Sequence, residues 1–334
     1  MGLFSNNKNR GQLLLEAKEL MDEKNFKKSI PLLEKALSAS STPDEQFPTL
    51  VLLGVCAMHQ QDYKSTVTYC EKALNLNHNL DESATKDAYY TLGVSYYYLA
   101  EYQKAIEPLT KYKSGSNKRM AIRLRGESYQ KCNEFEKSIS DLEKYFGNID
   151  DIELVEENFR PIVALSNSYI QTNRFIEGIT LTLKAHEIKP DDMYIKMSLS
   201  TFVMEYLNVD DEDFDLDSLI AKGKLFSQIT YALSPENSVS LAKSMQMAFI
   251  ERFENAKQRK PNMVAMDVLN IGSNVSVEMF KEWEINNHSI NNIQKSYLAY
   301  EVSKVIHNFK FFKMDLDEIH SSIFKSSYFL SFAQ

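Results

Sequence analysis

The fold is decided by two stretches of the chain that share one pattern. Residues 54–78 read GVCAMHQQDYKSTVTYCEKALNLNH, and residues 93–112 read GVSYYYLAEYQKAIEPLTKY. In both, a tyrosine lies nine positions after a glycine. A small residue lies three positions after that tyrosine, and a β-branched residue comes next. A small residue lets two helices approach closely, and an aromatic ring at the turn fills the space between them. The pattern therefore predicts a pair of antiparallel helices.

The same pattern occurs five times in tandem along the first half of the chain. The small anchor residues and their aromatic partners are Ala17/Phe26, Gly54/Tyr63, Gly93/Tyr102, Gly126/Phe135 and Ser166/Phe175. Successive anchors lie 37, 39, 33 and 40 residues apart. A helix pair of this kind leaves one apolar face uncovered, so it is stable only when it stacks on a neighbouring pair. The sequence therefore predicts a stacked array of helix pairs.

This pattern resembles the tetratricopeptide repeat (TPR), over residues 10–192 in five units. The resemblance implies an all-α fold: a TPR-like right-handed α-solenoid of antiparallel helix pairs, followed by a C-terminal helical region. Two units depart from the family pattern, because Glu16 and Arg125 stand where leucine is usual. Only the fifth unit keeps the closing proline, Pro190. These departures can alter the superhelix without changing its class.

The chain is predicted to have four parts. They are a flexible N-terminus (1–9), the TPR array (10–192), a degenerate and elongated sixth helix pair (193–235), and a C-terminal helical cap or interaction module (236–334). Within the sixth pair, residues 208–218 are expected to form an acidic loop. The last segment ends in an apolar group that is either buried in the cap or exposed as a docking stripe: Ile323, Phe324, Tyr328, Phe329 and Leu330.

Composition narrows the class of protein. The 334 residues include only 10 glycines and 8 prolines, which favours long helices. The net charge of −8 argues against a nucleic-acid partner, which requires a basic face. The three cysteines have no metal-ligand spacing, and no apolar run approaches the length of a membrane span or a signal peptide. We therefore expect a cytoplasmic protein that does not insert into a membrane.

No motif in the sequence carries catalytic chemistry, so we expect no enzyme, no cofactor and no metal. The histidines form no local pair, and neither a Gly-rich phosphate loop nor a nucleophile elbow is present. One acidic run imitates the start of a calcium loop, but Leu216 and Lys222 replace the glycine and glutamate that such a loop needs. We interpret this run as a solvated loop, with a docking site for a basic partner as the alternative. Its acidic residues are Asp210, Asp211, Glu212, Asp213, Asp215 and Asp217.

The resemblance also indicates where a partner would lie, because the first helices of TPR pairs line a concave groove. The fifth, ninth and twelfth positions of each unit are expected to face it. Units two and three then supply an apolar and aromatic wall, and unit four supplies a charged rim. The predicted partner-binding residues are Val51, Val55, Met58, Tyr90, Val94, Tyr97, Tyr98, Arg123, Glu127 and Gln130. The alternative is that these residues pack against the C-terminal helices.

The expected function is a non-enzymatic scaffold or adaptor that holds a peptide or helix of a partner protein in this groove. The alternative is a regulatory TPR sensor or chaperone whose C-terminal helices occupy the groove until a peptide or client displaces them. The lysine, asparagine and arginine set with which co-chaperone TPR domains hold the acidic tails of heat-shock chaperones is absent. Tyr90, Val94 and Leu124 stand at the matching sites. The oligomeric state is left open.

Overall fold

The computed structural model describes residues 9–76, 82–207 and 216–258, together with residues 275 and 278. These residues form helices and turns and contain no strand. The helices are α1 (Arg10–Asp22), α2 (Phe26–Ser38), α3 (Pro43–His59), α4 (Tyr63–Leu76), α5 (Glu82–Tyr98), α6 (Tyr102–Lys111), α7 (Lys118–Lys131), α8 (Phe135–Phe146), α9 (Glu156–Gln171), α10 (Phe175–Ile188), α11 (Met193–Phe202), α12 (Leu216–Leu233) and α13 (Pro235–Gln258), and a π-helical segment (Val203–Leu207) follows α11.

Helices α1 to α10 form the five predicted pairs, and we call the first helix of each pair helix A and the second helix B. Every helix B begins at the aromatic residue that the sequence pattern placed at the turn: Phe26, Tyr63, Tyr102, Phe135 and Phe175. The first four pairs pack on one another in succession, through α2 and α3, α4 and α5, and α6 and α7. The prediction of an all-α solenoid is confirmed.

The turn between helix A and helix B has the same geometry in all five pairs. Seven residues after each anchor, a residue other than glycine adopts a φ angle of 60–62°: Lys24, Gln61, Ala100, Asn133 and Asn173. In the second pair the backbone N–H of the next residue, Asp62, donates to the carbonyl of Ala57 at 2.9 Å. This is the Schellman arrangement, in which a left-handed residue ends a helix and satisfies its last carbonyl groups. Because this backbone turn recurs seven residues after every anchor, the backbone establishes the register of the five repeats without reference to the side chains.

The anchor glycines lie where helix A and helix B of a pair approach most closely. A Cβ atom added to Gly93 would lie 2.7 Å from Leu109 Cγ, and one added to Gly126 would lie 2.8 Å from Leu142 Cγ. In the second pair, a Cβ atom on Gly54 would lie 2.7 Å from the Sγ atom of the buried Cys70. Ordinary carbon contacts are about 3.5–4.0 Å. A side chain at these anchors would therefore force the two helices of the pair apart.

An ion pair explains why arginine replaces leucine in the fourth unit. The Arg125 guanidinium donates from Nε and Nη2 to the two carboxylate oxygens of Asp141 on α8, both at 2.6 Å. The hydrogen bonds to Asp141 raise the pKa of Arg125, although burial opposes the charge. The Asp141 side chain is only 9% exposed, and the two parallel hydrogen bonds from Arg125 satisfy both of its carboxylate oxygens. The fourth pair thus joins its two helices through a bidentate ion pair.

The chain divides into two compact units. The first comprises residues 1–153 with 167–172, and the second comprises residues 154–166 with 173–334. In the second unit, α10 contacts α11 and α12, and α12 contacts α13. Helix α12 begins at Leu216, so the end of the predicted acidic loop is helical, while residues 208–215 lie outside the described residues. The apolar group at 323–330 also lies outside them, and the predicted domain boundaries stay predictions.

Candidate functional site

The ten predicted groove residues lie on α3, α5 and α7, which are the A helices of the second, third and fourth pairs. Helix α3 contacts α5, and α5 contacts α7, in addition to the contacts that each makes with its own helix B. One apolar cluster of this unit contains Val94 and Tyr97 of α5 and Leu124 of α7, with Met58 and Tyr90 packed against it. Val51 belongs to a separate cluster with Phe47 and Leu50. Within this unit the A helices therefore share one face, which we call the A-helix face.

The ten residues differ in how much of each side chain a partner could reach. Four of them are buried: Val51, Val94, Tyr97 and Glu127. Five are half-buried: Val55, Met58, Tyr90, Arg123 and Gln130. Only the Tyr98 side chain is well exposed, at 52%. The surface available to a partner is therefore smaller than the sequence pattern implied, and Tyr98 is its most accessible ring.

The Tyr98 ring is held by other tyrosines although half of its surface is exposed. It stacks on Tyr63 with a centroid distance of 4.9 Å and an interplanar angle of 12°. Its other neighbour, Tyr97, meets it edge to face at 5.4 Å, and Tyr97 in turn meets Tyr102 at 5.7 Å. We call Tyr63, Tyr97, Tyr98 and Tyr102 the tyrosine cluster. Such offset and edge-on contacts orient aromatic rings, so Tyr98 is presented in one fixed direction.

Sequence reasoning missed Tyr63 and Tyr102 as site residues because it treated them only as turn fillers. A signal was present in the repeat itself. His59 lies five residues after the anchor of the second pair, as Tyr98 does in the third, and His59 stacks on the turn aromatic Phe26 at 4.1 Å. The position five after an anchor therefore stacks on the turn ring of the preceding pair in both cases.

A buried polar network joins α5 to α7 at the centre of the A-helix face. The Tyr97 hydroxyl donates to Glu127, and the Arg123 Nε donates to Glu127 Oε1 at 2.7 Å. Burial disfavours the charge on Arg123, but its hydrogen bond to Glu127 and the nearby carboxylate charge raise its pKa nevertheless. The charged rim expected on the fourth pair therefore does not present Glu127 to a partner. Glu127 is buried and accepts hydrogen bonds from Tyr97 and Arg123.

Tyr90 lies at the edge of the same face and stays protonated at neutral pH. Its ring contacts that of Tyr112 at 5.0 Å. Burial, followed by the nearby Tyr112 and Tyr98 hydroxyls, raises the pKa of Tyr90 to about 12. Tyr90 can therefore offer a partner an aromatic surface and a neutral hydroxyl.

Arg119 is a further residue of this face that sequence reasoning did not select. It lies four residues before Arg123 on α7, hence on the same side of the helix. Its Nε donates to the backbone carbonyl of Tyr145 at 3.2 Å, and its guanidinium lies 4.8 Å from the centroid of the Tyr145 ring. The Arg123 guanidinium lies 6.0 Å from the same ring. Both guanidinium groups therefore lie within 6.0 Å of the Tyr145 ring centroid.

The described part of the chain offers little for covalent or metal chemistry. No group of three or more His, Cys, Asp and Glu side chains in it could hold a metal ion. Burial raises the pKa of the Cys70 thiol to about 12, so this thiol is a poor nucleophile at neutral pH. Among the described helices, none is long and apolar enough to cross a membrane. The expected absence of cofactors and metals stays a prediction.

Comparison with known proteins gives a family for part of the chain. Residues 45–114, which include α4 and α5, match the family model of the tetratricopeptide repeat. The sequence matches no curated protein. Similar solved structures include YrrB, described as a TPR protein with an unusual peptide-binding site, at 16% identity over 58% of this chain and 94% of that one, with a TM-score of 0.46. They also include a tetratricopeptide repeat protein from Parabacteroides merdae, at 12% identity over 95% and 99% of the two chains, with a TM-score of 0.42.

Proposed function

Because this chain contains tetratricopeptide repeats, we propose that it is a protein-interaction scaffold that holds a peptide or helix of a partner protein on the A-helix face. The family is generally a non-enzymatic protein-interaction fold, and we assign no catalytic step to this chain. We further propose that the scaffold acts in the cytoplasm, without a nucleic-acid partner and without insertion into a membrane.

The observation that carries the proposal is the tyrosine cluster. Tyr98 is 52% exposed, so a partner that covers its ring removes apolar surface from water, which favours binding. Its ring is already oriented by Tyr63 and Tyr97. A partner that covers Tyr98 therefore loses little conformational entropy in the scaffold, and pre-ordered side chains of this kind favour affinity. Tyrosine is also among the residues that contribute most at protein interfaces.

The neighbouring residues suit a peptide that is partly apolar and partly polar. Val55 and Met58 supply half-buried aliphatic surface, while Tyr90 supplies a ring and a hydroxyl. Arg123 and Gln130 are half-buried on α7 and carry hydrogen-bond donors. The network of Tyr97, Glu127 and Arg123 fixes α5 against α7 beneath them. The proposed binding surface is thus built on rigid helices rather than on loops.

The experiment compares two tyrosine variants of the full chain. Tyr98→Ala removes the exposed ring of the cluster, and Tyr194→Ala removes a ring of similar exposure, 57%, on α11. Proteins captured by each variant and by the wild type in its own cells are quantified by mass spectrometry. Truncating a central interface tyrosine commonly costs about 2 kcal/mol, or roughly thirtyfold in affinity. We expect Tyr98→Ala to lose partners that Tyr194→Ala retains.

Thermal unfolding of both variants accompanies the capture. A Tyr98→Ala protein that unfolds like the wild type yet loses its partners supports binding at the A-helix face. If Tyr98→Ala retains every partner, or if Tyr194→Ala loses the same ones, the A-helix face is not the binding surface.

A further inference from the structure

Helix α7 carries a positive charge that stands out in an acidic protein. Its sequence, KRMAIRLRGESYQK, contains five cationic residues and one acidic residue, so its formal charge is +4, whereas the whole chain carries −8. Arg125 and Arg123 are neutralised by Asp141 and Glu127. Arg119 is exposed at the start of the helix and pairs with no carboxylate among the described residues. A cation of the A-helix face is therefore left without a counter-charge.

The Arg119 guanidinium is held in place although it lacks an ionic partner. Its Nε donates to the carbonyl of Tyr145, and its central carbon lies 4.8 Å from the centroid of the Tyr145 ring. Its Nη groups make no hydrogen bond to the described residues. An arginine side chain loses rotational freedom on binding, and the two contacts with Tyr145 reduce that loss for Arg119. The remaining Nη donors therefore form a pre-oriented receptor for a planar anion such as a carboxylate.

A chain of contacts connects this receptor to the exposed tyrosine. Arg119 and Arg123 share the Tyr145 ring, Arg123 bonds Glu127, and Glu127 accepts from Tyr97, whose ring meets Tyr98. All of these residues belong to the first compact unit. Because Tyr97 and Glu127 are buried, this network lies beneath a surface that exposes the Arg119 guanidinium and the Tyr98 ring.

We infer that this surface binds an acidic peptide segment of a partner protein, with a carboxylate at Arg119 and an apolar side chain at Tyr98. The inference rests on the proposed function and specifies the chemistry of the partner. Two observations favour a peptide over a polyanion. The net charge of −8 opposes a nucleic acid, which carries many negative charges, more strongly than a short peptide that carries few, and the exposed Tyr98 ring suits an apolar side chain of the same peptide. The receptor differs from the sites of the chaperone-tail clamp, which carry Tyr90, Val94 and Leu124.

The test uses the full chain and two fluorescein-labelled peptides measured by fluorescence anisotropy. One peptide alternates Asp and Glu with Leu and Phe, and the other carries Asn and Gln in place of the acids. Arg119→Gln removes the proposed receptor. Arg119→Lys keeps the charge but loses the planar fork, and Lys72→Gln removes an equal charge from the exposed surface of α4. Thermal unfolding of each variant checks that it folds as the wild type does.

We expect the acidic peptide to bind more tightly than its amide counterpart, and increasing salt to weaken only the acidic peptide. Arg119→Gln should weaken the acidic peptide about tenfold, since a hydrogen bond to a charged group contributes that much or more. Arg119→Lys should recover part of the loss, and Lys72→Gln should leave binding within about twofold of the wild type.

The inference is overturned if the two peptides bind equally, if neither binds, or if Lys72→Gln weakens the acidic peptide as much as Arg119→Gln does. Tighter binding of a single-stranded oligonucleotide or of anionic phospholipid vesicles than of the acidic peptide also overturns it. These failures leave the proposed function standing as long as Tyr98→Ala loses its cellular partners. If Tyr98→Ala retains them, the proposed function fails as well.

Discussion

Substituting the anchor glycine of the third pair tests the register of the repeats. In Gly93→Ala the new Cβ atom would lie 2.7 and 2.8 Å from Cγ and Cδ2 of Leu109, and 3.2 Å from its backbone nitrogen. Leu109 is 2% exposed, so its side chain has no free space to move into. Overpacking of this kind costs about 1–3 kcal/mol, while alanine in place of glycine gains up to about 1 kcal/mol of helix propensity. We expect a net loss of roughly 0–2 kcal/mol for Gly93→Ala and a larger loss for Gly93→Leu.

Gly11→Ala is the matched control because Gly11 lies in the exposed first turn of α1. There the new Cβ atom would have Asn9 Oδ1 as its nearest neighbour, at 3.4 Å. This variant should be neutral or more stable by up to about 1 kcal/mol. Urea unfolding followed by circular dichroism gives the midpoint of each variant. A Gly93→Leu protein as stable as the wild type would show that α5 and α6 do not approach closely at position 93, and the repeat register would then be wrong.

Two further predictions concern the ion pair of the fourth unit and the titration of Tyr90. Arg125→Ala leaves the buried Asp141 carboxylate unpaired and should lower the free energy of unfolding by about 3–5 kcal/mol, measured by thermal unfolding. The double variant Arg125→Leu with Asp141→Leu should regain most of this loss. A double variant no more stable than Arg125→Ala would contradict this role of the ion pair. Because the pKa of Tyr90 is raised from 10 to about 12, the folded protein keeps the Tyr90 proton at a pH where the unfolded chain loses it. The stability that this shift contributes is fully present below pH 10 and is lost as the pH rises to about 12. The urea midpoint of Tyr90→Phe should therefore fall less over this range than that of the wild type, whereas equal falls would argue against the shift.

The helices and turns could be predicted from the sequence because they depend on local pattern. The anchor and the aromatic residue nine positions later together specify where helix A ends and helix B begins, and each helix B does begin at that aromatic. The sequence shows that Arg125 replaces the leucine of other units, but it does not identify the residue that pairs with Arg125. Asp141 lies on the facing helix α8, and the sequence does not show which of the acidic residues of that helix faces Arg125.

Helical spacing specifies which residues of an A helix share one side, but it does not specify how exposed those residues are. Helical spacing places Tyr97 and Tyr98 near one another whatever surrounds them. Burial depends instead on which side chains of the neighbouring pairs fill the intervening space. Tyr97 is buried because it contacts Glu127 of the next pair, whereas Tyr98 contacts Tyr63 of the preceding pair and keeps half of its surface exposed. Arg119 was missed for the same reason, since its role depends on Tyr145 of another helix.

The most direct test of the central claim is site-specific photocrosslinking in the cells that produce the protein. The photoreactive residue p-benzoylphenylalanine replaces Tyr98 in one protein and Tyr194 in another, since both tyrosines are exposed and lie in different compact units. Its benzophenone group reacts only with atoms that it touches, so an adduct reports direct contact. We predict a discrete protein adduct at position 98 that is absent at position 194. Adducts at position 194 alone, or the same adducts at both positions, would contradict it.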